Sequence, residues 1–133
     1  MTRYLADTNA LIWWLTDHKQ LSKEQLRVLK TLENQGQPLF VSAVTLLEVA
    51  ILFGVGNRKH PERGAQMLSD MEIGFGVEVL PMSFEVAIEV ASVGDALRDP
   101  MDRAIVATAR VHRLTLITSD ERIIKSKLVR VVD

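Results

Sequence analysis

The chain has 133 residues, 47% of them hydrophobic and 25% charged, with a formal net charge of -1 and no cysteine. That is one domain's worth of ordinary globular sequence, which excludes a disordered chain, a disulfide scaffold and a thiolate metal site. No apolar run reaches the ~18 residues of a membrane span and no basic segment opens a signal sequence, so the expectation is a cytoplasmic protein without a membrane partner.

In chain order, residues 3 to 7 read as a buried strand ending at Asp7, with a helix starting at once and ending before Asp17. Ser22 and Gln25 have capping-box spacing for a second helix that runs to Gly36. Pro38 to Val41 predicts a second strand, and Ser42 caps a very apolar helix from Ala43 to about Phe53. After Gly54 and Gly56 comes a polar loop at 57–61, then a helix from Pro61 to Ile73. Val77 to Leu80 predicts a strand closed by Pro81, and Ser83 opens a helix stopped near Gly94. Asp99-Pro100 starts a helix that runs to about His112. A strand at 114–118, a short helix after Asp120 and an edge strand at 128–132 complete the chain. Strands alternating with helices predict one α/β domain over 1–133, with a mainly parallel sheet covered on both faces.

Four places carry acids that deserve two readings. Asp7 and Asp120 each follow a strand end, where a parallel sheet presents its ligand crevice; each could equally be a helix N-cap. Glu48 is the only ionisable residue between Ser42 and Gly56, and a carboxylate in an apolar helix needs a partner or a metal. Asp99 and Asp102 fit the grammar of a helix start, yet two acids in one turn repel. Thr118 and Ser119 bring hydroxyls to the same edge. Carboxylates ~4 Å apart repel by about 4 kcal/mol at an effective dielectric near 20, so a convergent set calls for a hard cation such as Mg²⁺ or Mn²⁺. His18, His60 and His112 lack ligand spacing, which points to phosphodiester chemistry rather than zinc hydrolysis.

Asp7-Thr8-Asn9 with Trp13-Trp14, Glu48 in its apolar helix, Arg98-Asp99-Pro100-Met101-Asp102-Arg103 and Thr118-Ser119-Asp120 together resemble the PIN-domain family, and within it the VapC-type ribonuclease toxins of bacterial toxin–antitoxin pairs. The resemblance implies a three-layer α/β/α sandwich. It makes Asp7, Glu48, Asp102 and Asp120 the catalytic, metal-binding acids, with Asp99 an additional ligand and Thr118 and Asn9 supporting. It further implies endonucleolytic cleavage of RNA by a metal-activated water, a small antitoxin as partner and a homodimer. Arg58, Lys59, Arg98 and Arg103 are the expected RNA contacts, with Arg122 and Lys125 as further candidates. Many relatives with the Trp-Trp pattern carry histidine where this chain has Asn9 and Leu97, and phenylalanine where it has Met101. Two other readings remain: a PIN-like interaction module without catalysis, and an aspartate-based phosphotransfer or phosphatase domain. A haloacid-dehalogenase-like phosphatase would want a second acid at position 9, which is Asn9. One tryptophan is expected in the core and the other on a partner surface.

Overall fold

The computed structural model describes residues 1–55, 62–74 and 76–133. The polar loop expected at 57–61, with Arg58, Lys59 and the Pro61 helix start, lies outside them.

Among the described residues, seven helices flank a parallel sheet of five strands in the order β3-β2-β1-β4-β5. The strands are β1 (Tyr4–Ala6), β2 (Leu39–Ser42), β3 (Val77–Leu80), β4 (Thr115–Ile117) and β5 (Val131–Val132). The helices are α1 (Thr8–Thr16), α2 (Lys23–Asn34), α3 (Ala43–Ala50), α4 (Glu62–Gly74), α5 (Phe84–Ser92), α6 (Pro100–His112) and α7 (Glu121–Ser126). Ser22 and Gln25 form the capping box of α2, and Ser42 and Ser83 cap α3 and α5.

The three layers follow from the period-two alternation of the strands. Leu5, Phe40, Leu116 and Val131 point to a core shared with α5, α6 and α7 through Val86, Ile105, Val106 and Ile123. Ala6, Val41, Ile117 and Val132 point the other way, to Leu11, Trp14, Leu29 and Met71 of α1, α2 and α4. Both faces are covered, so the buried positions of the inner strands are mostly apolar: Leu5 and Ala6, Leu39 to Val41, and Leu116 and Ile117. The result is the α/β/α sandwich with a parallel central sheet that the sequence predicts.

The apolar run after Ser42 does not stay α-helical to Phe53. It leaves the α form after Ala50 for a π-helical turn, Ile51–Val55. Helix α4 packs closely against this turn: a Cβ at Gly64 would stand 3.1 Å from the Gly54 nitrogen, so a larger residue there would push the backbone apart by a few tenths of an ångström.

Strand order decides where a ligand can enter. From β1 the chain moves first to β2 on one side and only later to β4 on the other, so the connections diverge at the carboxyl ends of β1 and β4. The Asp7 N–H still donates to the Ile117 carbonyl at 3.1 Å, which locks the two strand ends together at that point.

Candidate metal centre at the carboxyl edge of the sheet

Asp7 is both a helix cap and a buried acid. Its Oδ1 accepts from the Ala10 N–H at 2.8 Å, capping α1, and its Oδ2 accepts from the Thr118 hydroxyl at 2.5 Å. With 7% of its surface exposed, burial pushes its carboxyl from 3.8 up to about 6. The Thr118 and Ala10 hydrogen bonds pull it partly back, and the charges of Asp120 and Glu48 push it further up.

Asp120 lies across the crevice, past the end of β4. Its Oδ1 caps α7 by accepting from the Arg122 and Ile123 N–H groups at 2.8 and 3.3 Å. The Thr118 hydroxyl oxygen accepts from the Asp120 N–H at 3.1 Å while its proton goes to Asp7, so one fully buried threonine ties both acids to one edge.

Asp99 caps α6, its Oδ1 accepting from the Met101 and Asp102 N–H groups at 2.9 and 3.0 Å. Pro100 takes the first helical position, where its missing N–H costs nothing. Asp102 follows in the first turn, and no hydrogen bond from the described residues reaches its carboxylate. Its carboxyl is also raised to about 6, chiefly by burial and then by the charges of Asp99 and Asp120. The Arg122 guanidinium opposes this, and Glu48 adds to it. Glu48, on the otherwise apolar α3, is half-buried and accepts from the Thr8 hydroxyl.

Glu48 and Asp120 thus stand near enough to push up the carboxyls of both Asp7 and Asp102, and Asp99 that of Asp102, although the five acids come from four separate stretches of chain. Among the described residues, no three acidic or histidine side chains already close around one point as a metal shell would. The donor chemistry nevertheless suits a hard divalent cation. Every candidate ligand is a carboxylate oxygen, and oxygens already accepting one hydrogen bond keep a second lone pair.

The other expected site residues fall differently. Asn9 is exposed on the first turn of α1. Leu97, where many relatives carry histidine, is buried in the α5–α6 core, a position that here serves packing. Arg98 and Arg122 line a depression of about 180 Å³ beside Asp99 and Asp102. Arg122 approaches Asp120 at 3.8 Å. Arg103 turns inward: its guanidinium donates to the carbonyls of Gly94, of Val90 at 2.6 Å and of Leu97 at 2.7 Å, tying the end of α5 to α6. Helix-start grammar hid this role, since an arginine beside two acids reads as a surface charge. Thr45 bonds Thr8, and Thr8 bonds Glu48; no role for these hydroxyls could be read from the sequence, because a lone threonine in a helix carries no signal. His18 stacks on Trp14 at 4.6 Å between ring centroids, away from the acids.

The PIN-domain model matches residues 4–127. The chain belongs to the PIN-domain family. Compared with curated proteins, the sequence finds no match. Among solved structures, VapBC2 from Rickettsia felis bound to a DNA fragment from its promoter is similar over 98% of both chains, with a TM-score of 0.75 and 17% identity. DNA-bound VapBC from Salmonella typhimurium has a TM-score of 0.74 at 20% identity, covering 100% of this chain and 98% of that one. A toxin–antitoxin complex from Klebsiella pneumoniae has a TM-score of 0.65 at 24% identity, covering 98% and 96%. At these identities the likeness is one of fold. For this PIN domain, the acids occupy the edge where the strand connections diverge.

Proposed function

We propose that this PIN domain is a metal-dependent endoribonuclease and the toxin half of a type II toxin–antitoxin pair. The observation that carries the reading is the crowding of carboxylates at the β1/β4 edge, where Asp7 and Asp102 are both raised to about 6 by burial and by neighbouring acids. Such a set is poorly stable when fully ionised, and the Arg122 guanidinium only partly opposes the rise at Asp102.

Asp7, Asp102 and Asp120 would hold Mg²⁺ or Mn²⁺, with Glu48 and Asp99 completing the acidic set. When bound, such an ion lowers the pKa of a coordinated water and neutralises charge on a phosphate. The chain's own contribution is positioning. Thr118 fixes Asp7 against Asp120, while the helix caps hold Asp99 and Asp120 by their Oδ1 atoms. Arg98 and Arg122 face the depression beside Asp102, where a phosphate of the substrate strand would find two guanidinium groups. The Arg103 guanidinium donates instead to three backbone carbonyls, and in this reading it holds the wall of the site. Unpaired RNA is the expected substrate, because sequence-specific RNA reading favours splayed single strands.

The partners follow the same reading. The neighbours described as VapBC or toxin–antitoxin complexes support a small cognate antitoxin. A second copy of the chain is the natural cover for α5, whose outer face carries Phe84 at 91% and Ile88 at 68% exposure. Trp14 is buried and Trp13 packs against the same core, so neither tryptophan leads that surface. No helix of the described residues is long and apolar enough to cross a membrane.

The test is cleavage of single-stranded RNA by wild type and Asp7→Asn with Mg²⁺ or Mn²⁺, with and without EDTA. Metal-dependent cleavage by wild type alone is the expected outcome. Equal cleavage by both, or cleavage that survives EDTA, overturns the reading.

A further inference from the structure

Two buried hydroxyls stand beside the acids. Thr8, the first residue of α1, is 5% exposed, and Thr45, inside α3, is fully buried. Their Oγ1 atoms are 3.1 Å apart, and Thr8 Oγ1 also reaches Glu48 Oε1. Thr45 stands three residues before Glu48, hence on the same face of α3, so the three groups bridge α3 to α1.

Proton counting fixes the direction of this chain. A threonine hydroxyl has one proton and two lone pairs, whereas an ionised carboxylate can only accept. The Thr8 proton is therefore committed to Glu48. The Thr8 oxygen must then act as acceptor toward Thr45, and Thr45 must donate. The order is Thr45 to Thr8 to Glu48, and it cannot run in reverse while Glu48 is ionised.

We infer that Thr8 and Thr45 are positioning residues that act in series to hold Glu48 at the acidic edge, Thr8 directly and Thr45 through Thr8. Glu48 needs such a hold more than the other acids do. Asp7, Asp99 and Asp120 each accept from at least one backbone N–H, and their side chains are short. Among the described residues, Thr8 is the one hydrogen-bond partner of the Glu48 carboxylate, whose longer side chain has an additional torsion to fix. With Oε1 engaged by Thr8, Oε2 is left for another ligand. The arrangement repeats the device at Thr118, where a buried hydroxyl from one element orients a carboxylate on another. The inference rests on the metal-dependent reading only for the consequence of that positioning.

The experiment compares Mn²⁺ affinity by calorimetry in wild type, Thr8→Val, Thr8→Ser, Thr45→Val and the double Thr8→Val/Thr45→Val. Valine matches threonine in shape and deletes the hydroxyl; serine keeps it. Outer-sphere partners of metal ligands typically contribute about 10- to 100-fold in affinity. Thr8→Val is expected to weaken Mn²⁺ binding by about tenfold, with Thr8→Ser restoring most of the loss. Thr45→Val should weaken it by roughly threefold alone and by nothing further once Thr8 is valine, as groups in series are non-additive. Independent, additive losses overturn the relay, and so does a Thr8→Ser variant as weak as Thr8→Val. A wild type that binds no Mn²⁺ overturns the nuclease reading instead. The relay then stands or falls on the metal-free protein, where NMR should detect Thr8 and Thr45 hydroxyl protons protected from solvent exchange. Rapid exchange of the Thr8 proton overturns it, and that measurement needs no variant to fold.

Discussion

The β1–α1 and β4–α7 junctions share one local grammar and differ in what surrounds them. Each is an apolar strand, a tight turn and an aspartate whose Oδ1 caps the next helix. Asp7 ends the central strand and is almost wholly buried. Asp120 keeps 28% of its side chain exposed, beside Arg122. At Asp7, burial raises the carboxyl that does the capping to about 6. The same cap is thus a stabilising feature at the outer junction and a poised, energetically uphill group at the inner one. A carboxylate in the centre of a sheet is hard to explain as a cap alone, since asparagine would cap as well without the charge.

The sharpest way to break this contrast is Asp7→Asn. Asparagine retains the cap and can donate to Thr118, whose oxygen has a lone pair free for it. Cleavage should fall at least about 100-fold, in line with losing a principal electrostatic group at a reacting centre. The metal-free protein should nevertheless become more stable at pH 7.5 by up to about 3 kcal/mol, or roughly 5 °C or more in Tm, because a buried charge is gone. Thermal unfolding in EDTA checks this, and an unchanged Tm would mean that Asp7 is a structural cap like Asp120.

The pH dependence of stability tests the same point without mutation. A carboxyl raised from 3.8 to about 6 holds its proton in the folded chain when the unfolded chain has released it. Stability from this source is therefore complete below pH 3.8 and is lost as pH rises to about 6, by roughly 3 kcal/mol for Asp7. Asp102 acts with the same sign and a smaller effect, because it is more open to solvent. Denaturant midpoints in EDTA between pH 4 and 7.5 should decline accordingly. Excess Mg²⁺ should flatten the decline, and Asp7→Asn should remove most of it.

Arg103→Met offers a contrast between a charge that folds the site's wall and one that meets substrate. Leaving three carbonyls without their donor should destabilise the protein by about 2–3 kcal/mol in urea unfolding. In an Asp7→Asn background, RNA binding by the folded protein should stay within about twofold. A large loss of RNA affinity at unchanged stability would return Arg103 to the substrate surface.

The smallest effect is expected at the outer junction. Asp120→Ala removes two capping bonds and should lower stability by about 1 kcal/mol, while Asp120→Asn should be nearly neutral in metal-free protein. Were Asp120→Asn to stabilise as much as Asp7→Asn, the two junctions would be equivalent and the contrast would vanish.

Much of this molecule is legible from sequence because its signals are local. The capping box at Ser22 and Gln25, the caps at Ser42 and Ser83, and Pro100 after Asp99 each involve side chains bonding to backbone within three residues. Strand alternation likewise follows from a period of two, so α/β layering and the strand-end positions of Asp7 and Asp120 could be read directly. The passage of α3 into a π-helical turn could not, because the run from Ala43 to Phe53 is apolar on either side of the change, apart from Thr45 and Glu48, and carries no local signal for it. Nor could the inward turn of Arg103, whose partners lie up to 13 residues away on another helix. The Thr45–Thr8–Glu48 chain spans 37 to 40 residues and exists only once α1 and α3 meet. Sequence determined which carboxylates stand at strand and helix ends, since caps and strand periods are short-range. Tertiary structure alone decided which of them is buried, which is paired and which repels its neighbours, since desolvation and charge act through space between elements the chain keeps far apart.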